Sequence, residues 1–457
     1  MKNLLSVFLS TIIKRMFFGQ KIAVSLFLIF MTLFVNGVLV EAQEVEVSEV
    51  LDDTVDRFEL EPNDDEGGDI ERVGEASADY DGPSEYSAAT SLSTRQVGSP
   101  IWGGHLLWVT VTELRYDDNV LYGAGRRASD VVSILTGGFD WTFPSRSGSL
   151  PSVGGNQLSG SYRAGYEIFL DGVAENNVRN SLSLTGTRVF RRAEVDISYD
   201  LFTGTTPDVQ EGGRIARVTH SPNVAARIAL GRKLDATLGF RYQNTEVEDN
   251  IDTERLLGEG FIDYQAGAKT RLGLGTVVGS DQTSVGFNSL FEQFRLRSEY
   301  EVTERIQWDL YGGAEFRQFD ADVESEFGPI FGLNLSYELS RSSTLDFSAE
   351  RALRPSNFLP GQIRKDLTIS LGMQQRFFLD YFLYVSGTIG RASFAQSTQG
   401  ALGLGSQMYS VVSLQLTKSF INGLDGQIFY NRTGREGSAG RNALENNQTG
   451  IRLSYRF

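Results

Sequence analysis

The last seven residues, Ile451-Arg452-Leu453-Ser454-Tyr455-Arg456-Phe457 (IRLSYRF), decide how the rest of the chain is read. In an extended segment successive side chains point to opposite faces. Ile451, Leu453, Tyr455 and Phe457 therefore share one face, and Arg452, Ser454 and Arg456 share the other. A soluble sheet uses the same pattern, with one face on a core and one in water. Its meaning here depends on whether the pattern recurs and on how the chain begins.

It recurs from Ile101 to the end, in short alternating runs separated by Gly, Asn, Asp, Ser and Pro, the texture of successive hairpins. In LSGSYRAGYEIFL, Leu158, Tyr162, Ala164, Tyr166, Ile168 and Leu170 oppose Ser159, Ser161, Arg163 and Glu167. In AEVDISYDLF, Val195, Ile197, Tyr199 and Leu201 oppose Glu194, Asp196, Ser198 and Asp200. Leu238, Phe240 and Tyr242 oppose Thr237, Arg241 and Gln243, and the runs around Trp308 and Ile369 follow the same rule. The strands of soluble sandwiches run about five or six residues. Many runs here alternate for about ten, the length that crosses a bilayer at a tilt of ~45°. The polar faces carry both signs of charge in mid-strand, as a water-lined lumen would.

The other end of the chain is consistent with export. Lys2, Lys14, Arg15 and Lys21 precede the apolar run IAVSLFLIFMTLF, and Val40-Glu41-Ala42 resembles a small-residue cleavage site. That order reads as a secretory signal over residues 1–42. A retained membrane helix is the alternative, because Ile22 to Val40 approaches the ~20 residues that span a bilayer. With 0 Cys the chain forms no disulfide and has no thiolate metal ligand or thiol nucleophile.

The formal net charge of -16 is unevenly placed. Between Glu41 and Glu85 stand 18 acidic residues against only Arg57 and Arg72, so the body after them is nearly neutral. Residues 43–100, which include EPNDDEGGD, hold too little apolar surface to offset the entropy of ordering and are expected to be a disordered acidic periplasmic segment. Asp64, Asp65, Glu66 and Asp69 do not reproduce the ligand spacing of an EF-hand, so no calcium site is expected.

These readings converge on one architecture. Only helices and closed barrels satisfy their backbone in hydrocarbon, and no apolar helix follows residue 42. An all-β, transmembrane, antiparallel up-and-down barrel is expected over residues 101–457, with IRLSYRF as the strand that closes it. At about ten residues per strand and roughly a dozen per connection, it would hold about 16 strands, within roughly 14 to 18. Aromatics at strand ends, among them Trp108, Tyr116, Trp141, Phe143, Trp308, Phe377, Phe378 and Tyr381, fit interfacial girdles. LGLG at residues 272–275 lacks the spacing of a dinucleotide loop and belongs to strand and turn.

The stretch ELRYDDNVLYGAGRRASDVVSILTGGFDWTF, with its Asp-Asp-Asn turn between two strands, resembles the opening of the β-barrel porin 2 family. RKLDATLGFRYQNTE and the Phe-terminated last strand are similar to the same family, and the resemblance covers residues 101–457. It implies a Gram-negative outer-membrane protein. It also implies that Tyr455 and Phe457 serve as the recognition signal for the barrel-assembly machinery, and some relatives lie near exopolysaccharide or capsule export. The family has no catalytic residues to carry over, and the acidic segment departs from its pattern.

The function expected is a passive outer-membrane channel for small hydrophilic solutes. Arg163, Glu167, Glu194, Asp196, Arg241, Arg452 and Arg456 are the inward candidates for selectivity. The alternative is a non-conducting structural or export barrel, its acidic segment reaching a periplasmic partner. A barrel hydrolase is disfavoured. Only His105 and His220 are present, and Ser221 points away from its neighbour His220. The paired carboxylates Asp117 with Asp118, and Asp320 with Asp322, read equally well as solvated loop residues. No cofactor is implied, and the acidic balance argues against nucleic acid.

Overall fold

The computed structural model describes residues 99–101, 104–123, 127–144, 157–208, 213–285, 288–303, 305–320, 325–356, 363–378, 380–394, 406–420, 423–436 and 443–457. The expected signal segment, residues 1–42, and the acidic segment through residue 98 lie outside them.

Period-two alternation becomes strand throughout. In chain order the elements are β1 (Ser99–Ile101), β2 (Gly104–Asp117), β3 (Asp130–Pro144), β4 (Gln157–Phe169), β5 (Asn177–Val189) and β6 (Ala193–Asp208). There follow β7 (Gly213–Ala229), β8 (Leu234–Val247), β9 (Thr253–Gly267), β10 (Thr270–Thr283), β11 (Ser289–Thr303), β12 (Ile306–Phe319) and β13 (Glu326–Ser340). The last six are β14 (Ser343–Pro355), β15 (Ile363–Phe377), β16 (Tyr381–Phe394), β17 (Ser406–Ser419), β18 (Leu424–Arg435) and β19 (Leu444–Arg456). Each strand from β2 onward pairs antiparallel with the next, and β19 pairs with β2, so 18 strands close an up-and-down barrel. The short β1 folds back on the first residues of β2.

The strand number falls at the top of the sequence-based range, for a reason visible in the connections. At the end where the chain enters and leaves the barrel, seven of the eight turns contain two to four residues. The opposite end carries loops of four to twelve. A uniform dozen residues per connection therefore undercounted the strands. An even strand number places Gly104 and Phe457 at the same end, the short-turn end.

Closure is by backbone hydrogen bonds. The β19–β2 seam runs from Gln448 opposite Asp117 to Arg456 opposite Val109, and Trp108 and Phe457 exchange N–H···O bonds of 2.8 and 3.0 Å. Closure leaves neither the first nor the last barrel strand with a free edge to recruit another chain.

The two faces differ in chemistry. Leu114, Leu135, Val178, Ile197, Phe240, Leu274, Phe294, Leu371, Ile389, Leu414, Ile428, Ile451 and Leu453 are exposed and share the convex side. At the short-turn end this side carries an aromatic girdle. Trp108 meets Phe139 edge-on at 5.4 Å, Tyr300 lies 5.3 Å from Trp308, and Tyr455 stacks on Phe457 at 5.4 Å. The opposite parity must line the lumen, because its side chains reach past neighbouring strands: Arg115 of β2 to Glu167 of β4, Arg297 of β11 to Asp263 of β9, and Arg317 of β12 to Asp281 of β10. Only the concave side of a closed sheet brings such residues together.

Candidate functional site

Lumen-facing arginines are held in a repeating three-layer unit. An inward glycine on one strand accommodates an aromatic ring from its neighbour, and a guanidinium lies over the ring. A Cβ at Gly275 would stand 2.3 Å from the ring of Phe261, and Arg297 lies 4.1 Å above that ring. Gly279, Phe291 and Arg317 repeat the arrangement, with the guanidinium 4.4 Å from the ring centre, and so do Gly450, Phe429 and Arg452 at 5.3 Å. The glycines of LGLG, Gly273 and Gly275, thus sit inside β10, where their missing side chains make room for the wall network. Cation–π contact together with an acidic partner fixes each arginine.

The acidic partners make these units continuous. Asp263 accepts from Arg297 and from Thr237 of β8 at 2.9 Å. Asp281 accepts from Arg255 at 2.7 Å and from Arg317, while Arg317 also donates to Glu315 at 2.7 Å. Glu167 is completely buried and accepts from Arg115 at 2.8 Å, Arg179 at 2.9 Å and Arg214. Arg115 also bridges to Glu113 at 3.4 Å, and Glu113 binds Arg452 at 2.8 Å, so one chain of charges runs from β19 to β7 across the seam.

Complete burial of charged groups on a lumen wall requires something to cover them, and two segments at the loop end do so. The first is the connection after β2. Val120 packs with Val132, Ile134 and Phe169, and Tyr122 packs with Tyr409 of β17 and Leu444 of β19. Tyr122 is held at φ 53, a conformation a bulky residue adopts only where its surroundings over-determine it. The Asp-Asp-Asn turn supplies that constraint. Asp118 accepts from the backbone N–H of Asn447 at 2.6 Å and from its amide at 2.7 Å, Asp117 accepts from Gln448 at 2.8 Å, and Asn119 donates to the Glu445 carbonyl at 3.0 Å. The first hairpin is thereby clamped to the last strand.

The second cover is the loop-end tip of β14 and β15. Pairing of β14 with β13 stops at Arg351 opposite Phe331. Beyond it Leu353, on the outward parity, packs against inward Ile330 and against Ile363. The tip has therefore left the wall and lies over the inner face of β12 and β13. Its Leu353 carbonyl accepts from Arg255 at 3.4 Å and from Arg317 at 3.3 Å. Toward the short-turn end the wall is instead lined by small polar groups, such as Ser159 bonded to Thr185 and Ser336 bonded to Asp346.

All seven residues expected to face inward fall on the lumen parity. Glu167 and Arg452 meet in the network through Glu113 and Arg115. Arg163 pairs separately with Asp140 at 2.6 Å, and Asp196 accepts from Thr187 at 2.7 Å. Glu194, Arg241 and Arg456 share the face without joining that cluster. Tyr455 and Phe457 lie on the convex side. His220 is also convex, with Nδ1 2.9 Å from the Tyr199 hydroxyl, while Ser221 points inward.

Sequence reading missed Glu113, Arg115, Arg179, Arg214, Asp281 and Arg317, and it placed Glu315 on a polar face without giving it a role. Part of the signal was present. An acid and a base two residues apart on a polar face, as in Glu113-x-Arg115 and Glu315-x-Arg317, mark a wall-lying pair.

No family model and no curated protein matches the chain. Among solved structures, it is similar to OccK2 (OpdF) of Pseudomonas aeruginosa, at 10% identity over 78% of this chain and 97% of that one, with a TM-score of 0.43. It is also similar to OccAB4 of Acinetobacter baumannii, at 8% identity over 77% and 98% with a TM-score of 0.41. The outer membrane protein OpdK of Pseudomonas aeruginosa is 12% identical over 77% and 98%, with a TM-score of 0.40. At these scores the strand pairing of the chain itself, rather than the likeness, defines the barrel.

Proposed function

We propose that the protein is a passive, water-filled channel of the Gram-negative outer membrane for small hydrophilic solutes, narrowed at its loop end. The observation that carries this reading is the division of faces around a closed barrel of 18 strands: apolar outward, polar and charged inward. A sheet with that polarity is solvated correctly only with lipid outside and water inside. The short turns and both barrel termini at one end favour a periplasmic orientation for that end, where residues 43–100 would lie.

The narrow zone lies between the segment Asn119–Tyr122 and the tip at Leu353. Fixed arginines and carboxylates there would set ion preference, with Arg163, Glu194, Asp196, Arg241 and Arg456 lining the wider part. The convex Tyr455 and Phe457 would serve as the assembly signal, in keeping with the resemblance to β-barrel porin 2.

The test is single-channel recording of the full chain in a planar bilayer. Stable unitary steps with a reversal potential in a salt gradient are expected. Silence from inserted, β-rich protein would refute the channel and leave a structural or export-associated barrel.

A further inference from the structure

The tip that folds inward leaves a gap in the wall behind it. β13 pairs with β12 as far as Glu326 opposite Arg317, but with β14 only as far as Phe331 opposite Arg351. Residues Glu326–Ile330 therefore have a strand partner on one side alone. Pro329, which lacks an N–H, stands in this half-paired stretch, where a proline is tolerated. Phe327 is 70% exposed beside it.

An open strand edge presents backbone donors and acceptors that hydrocarbon cannot satisfy. This end of β13 must therefore sit at headgroup level, above the apolar belt formed by Leu333, Leu335 and their neighbours. Outward cations stand at the base of the notch. Arg351 is directly opposite both Phe331 and Leu367, and Arg391 is opposite Leu367 on its other side. Leu367 belongs to the convex apolar face, so both guanidiniums project from that face, two strand spacings or ~10 Å apart. Arg391 donates to Ser406 at 3.3 Å, and Arg351 makes no ion pair among the described residues.

We infer that this notch docks the headgroup of a phosphorylated lipid from the leaflet at the loop end. Phosphate oxygens would accept from Arg351, Arg391 and the Phe327 N–H, the one donor that the open edge of β13 presents to the gap, and an acyl chain would lie against Phe327 and Pro329. Charge complementarity selects the occupant, because two outward cations at the border of an apolar belt match an anionic amphiphile. The inference rests on the membrane reading above, but not on conduction.

The experiment is native mass spectrometry of the full chain in detergent micelles doped with lipid A or with phosphatidylcholine. Wild-type protein is expected to retain lipid A and not phosphatidylcholine. Arg351→Gln is expected to weaken retention about tenfold, the effect of losing one charge-assisted contact, and Arg351→Lys is expected to recover part of it. Arg432→Gln, which removes an exposed β18 cation paired with Glu445 of β19, should change nothing. Folding of each variant is checked first by its heat-modifiable band, and Arg391→Gln provides the same readout if Arg351→Gln does not fold. Equal retention of phosphatidylcholine, equal loss in Arg432→Gln, or displacement of lipid A by inorganic phosphate would overturn the site. Bilayer conductance is recorded on the same preparations, so loss of lipid binding with intact channels refutes the notch alone.

Discussion

Glu167→Gln is the substitution that most directly tests the account of the lumen wall. Glu167 is fully buried, and three guanidiniums, from Arg115, Arg179 and Arg214, converge on its two oxygens. Glutamine preserves the shape but removes the charge, leaving three cations to repel one another at close range. Breaking one buried ion pair costs about 3–5 kcal/mol. With three partners the cost should fall at the upper end, about 5 kcal/mol. At an unfolding slope of ~3 kcal/mol per molar urea, the midpoint would drop by roughly 1.5 M. The assay is urea titration of the refolded barrel, followed by tryptophan fluorescence and by heat-modifiable mobility. Glu194→Gln, on the same face but outside the cluster, serves as the control. In the double variant Glu167→Gln/Arg179→Gln, part of the loss should return as one unpaired cation is removed. An unchanged midpoint for Glu167→Gln, or an equal loss from Glu194→Gln, would show that the cluster is solvated and the packed mouth does not exist.

Three further outcomes are expected. Gly275→Ala should destabilise the barrel by about 1–3 kcal/mol, the usual cost of overpacking, because its Cβ would meet Phe261 at 2.3 Å, whereas Gly137→Ala enters open space and should be near neutral in the same titration. Asp118→Ala removes two acceptors from the clamp on Asn447 and should cost about 1–3 kcal/mol, read as earlier loss of the folded electrophoretic band on stepwise heating. Arg255→Ser combined with Arg317→Ser releases the Leu353 carbonyl, and single-channel recording should then show a larger conductance than wild type; an unchanged conductance would remove the tip from the constriction.

Much of this protein is legible from local chemistry. Alternation in IRLSYRF and its sister runs assigned strands, faces and closure, because period two depends only on neighbouring residues. It also placed Arg163, Glu167, Arg241 and Arg452 on the lumen side before any partner was known. It could not assign partners. Glu167 binds residues 52, 12 and 47 positions away, and which arginines reach it depends on the register of β2, β5 and β7 against β4. Register arises from the whole closed sheet, and a one-residue slip would turn every side chain to the other face. Leu353 marks the limit most clearly. Its parity is outward, yet it is 3% exposed inside the mouth, because β14 leaves the wall after Arg351 to satisfy contacts on β9, β12 and β13. The Asp-Asp-Asn turn was likewise visible as a turn, but its role as the clamp on Asn447 and Gln448 exists only because closure brings the two ends of the barrel together.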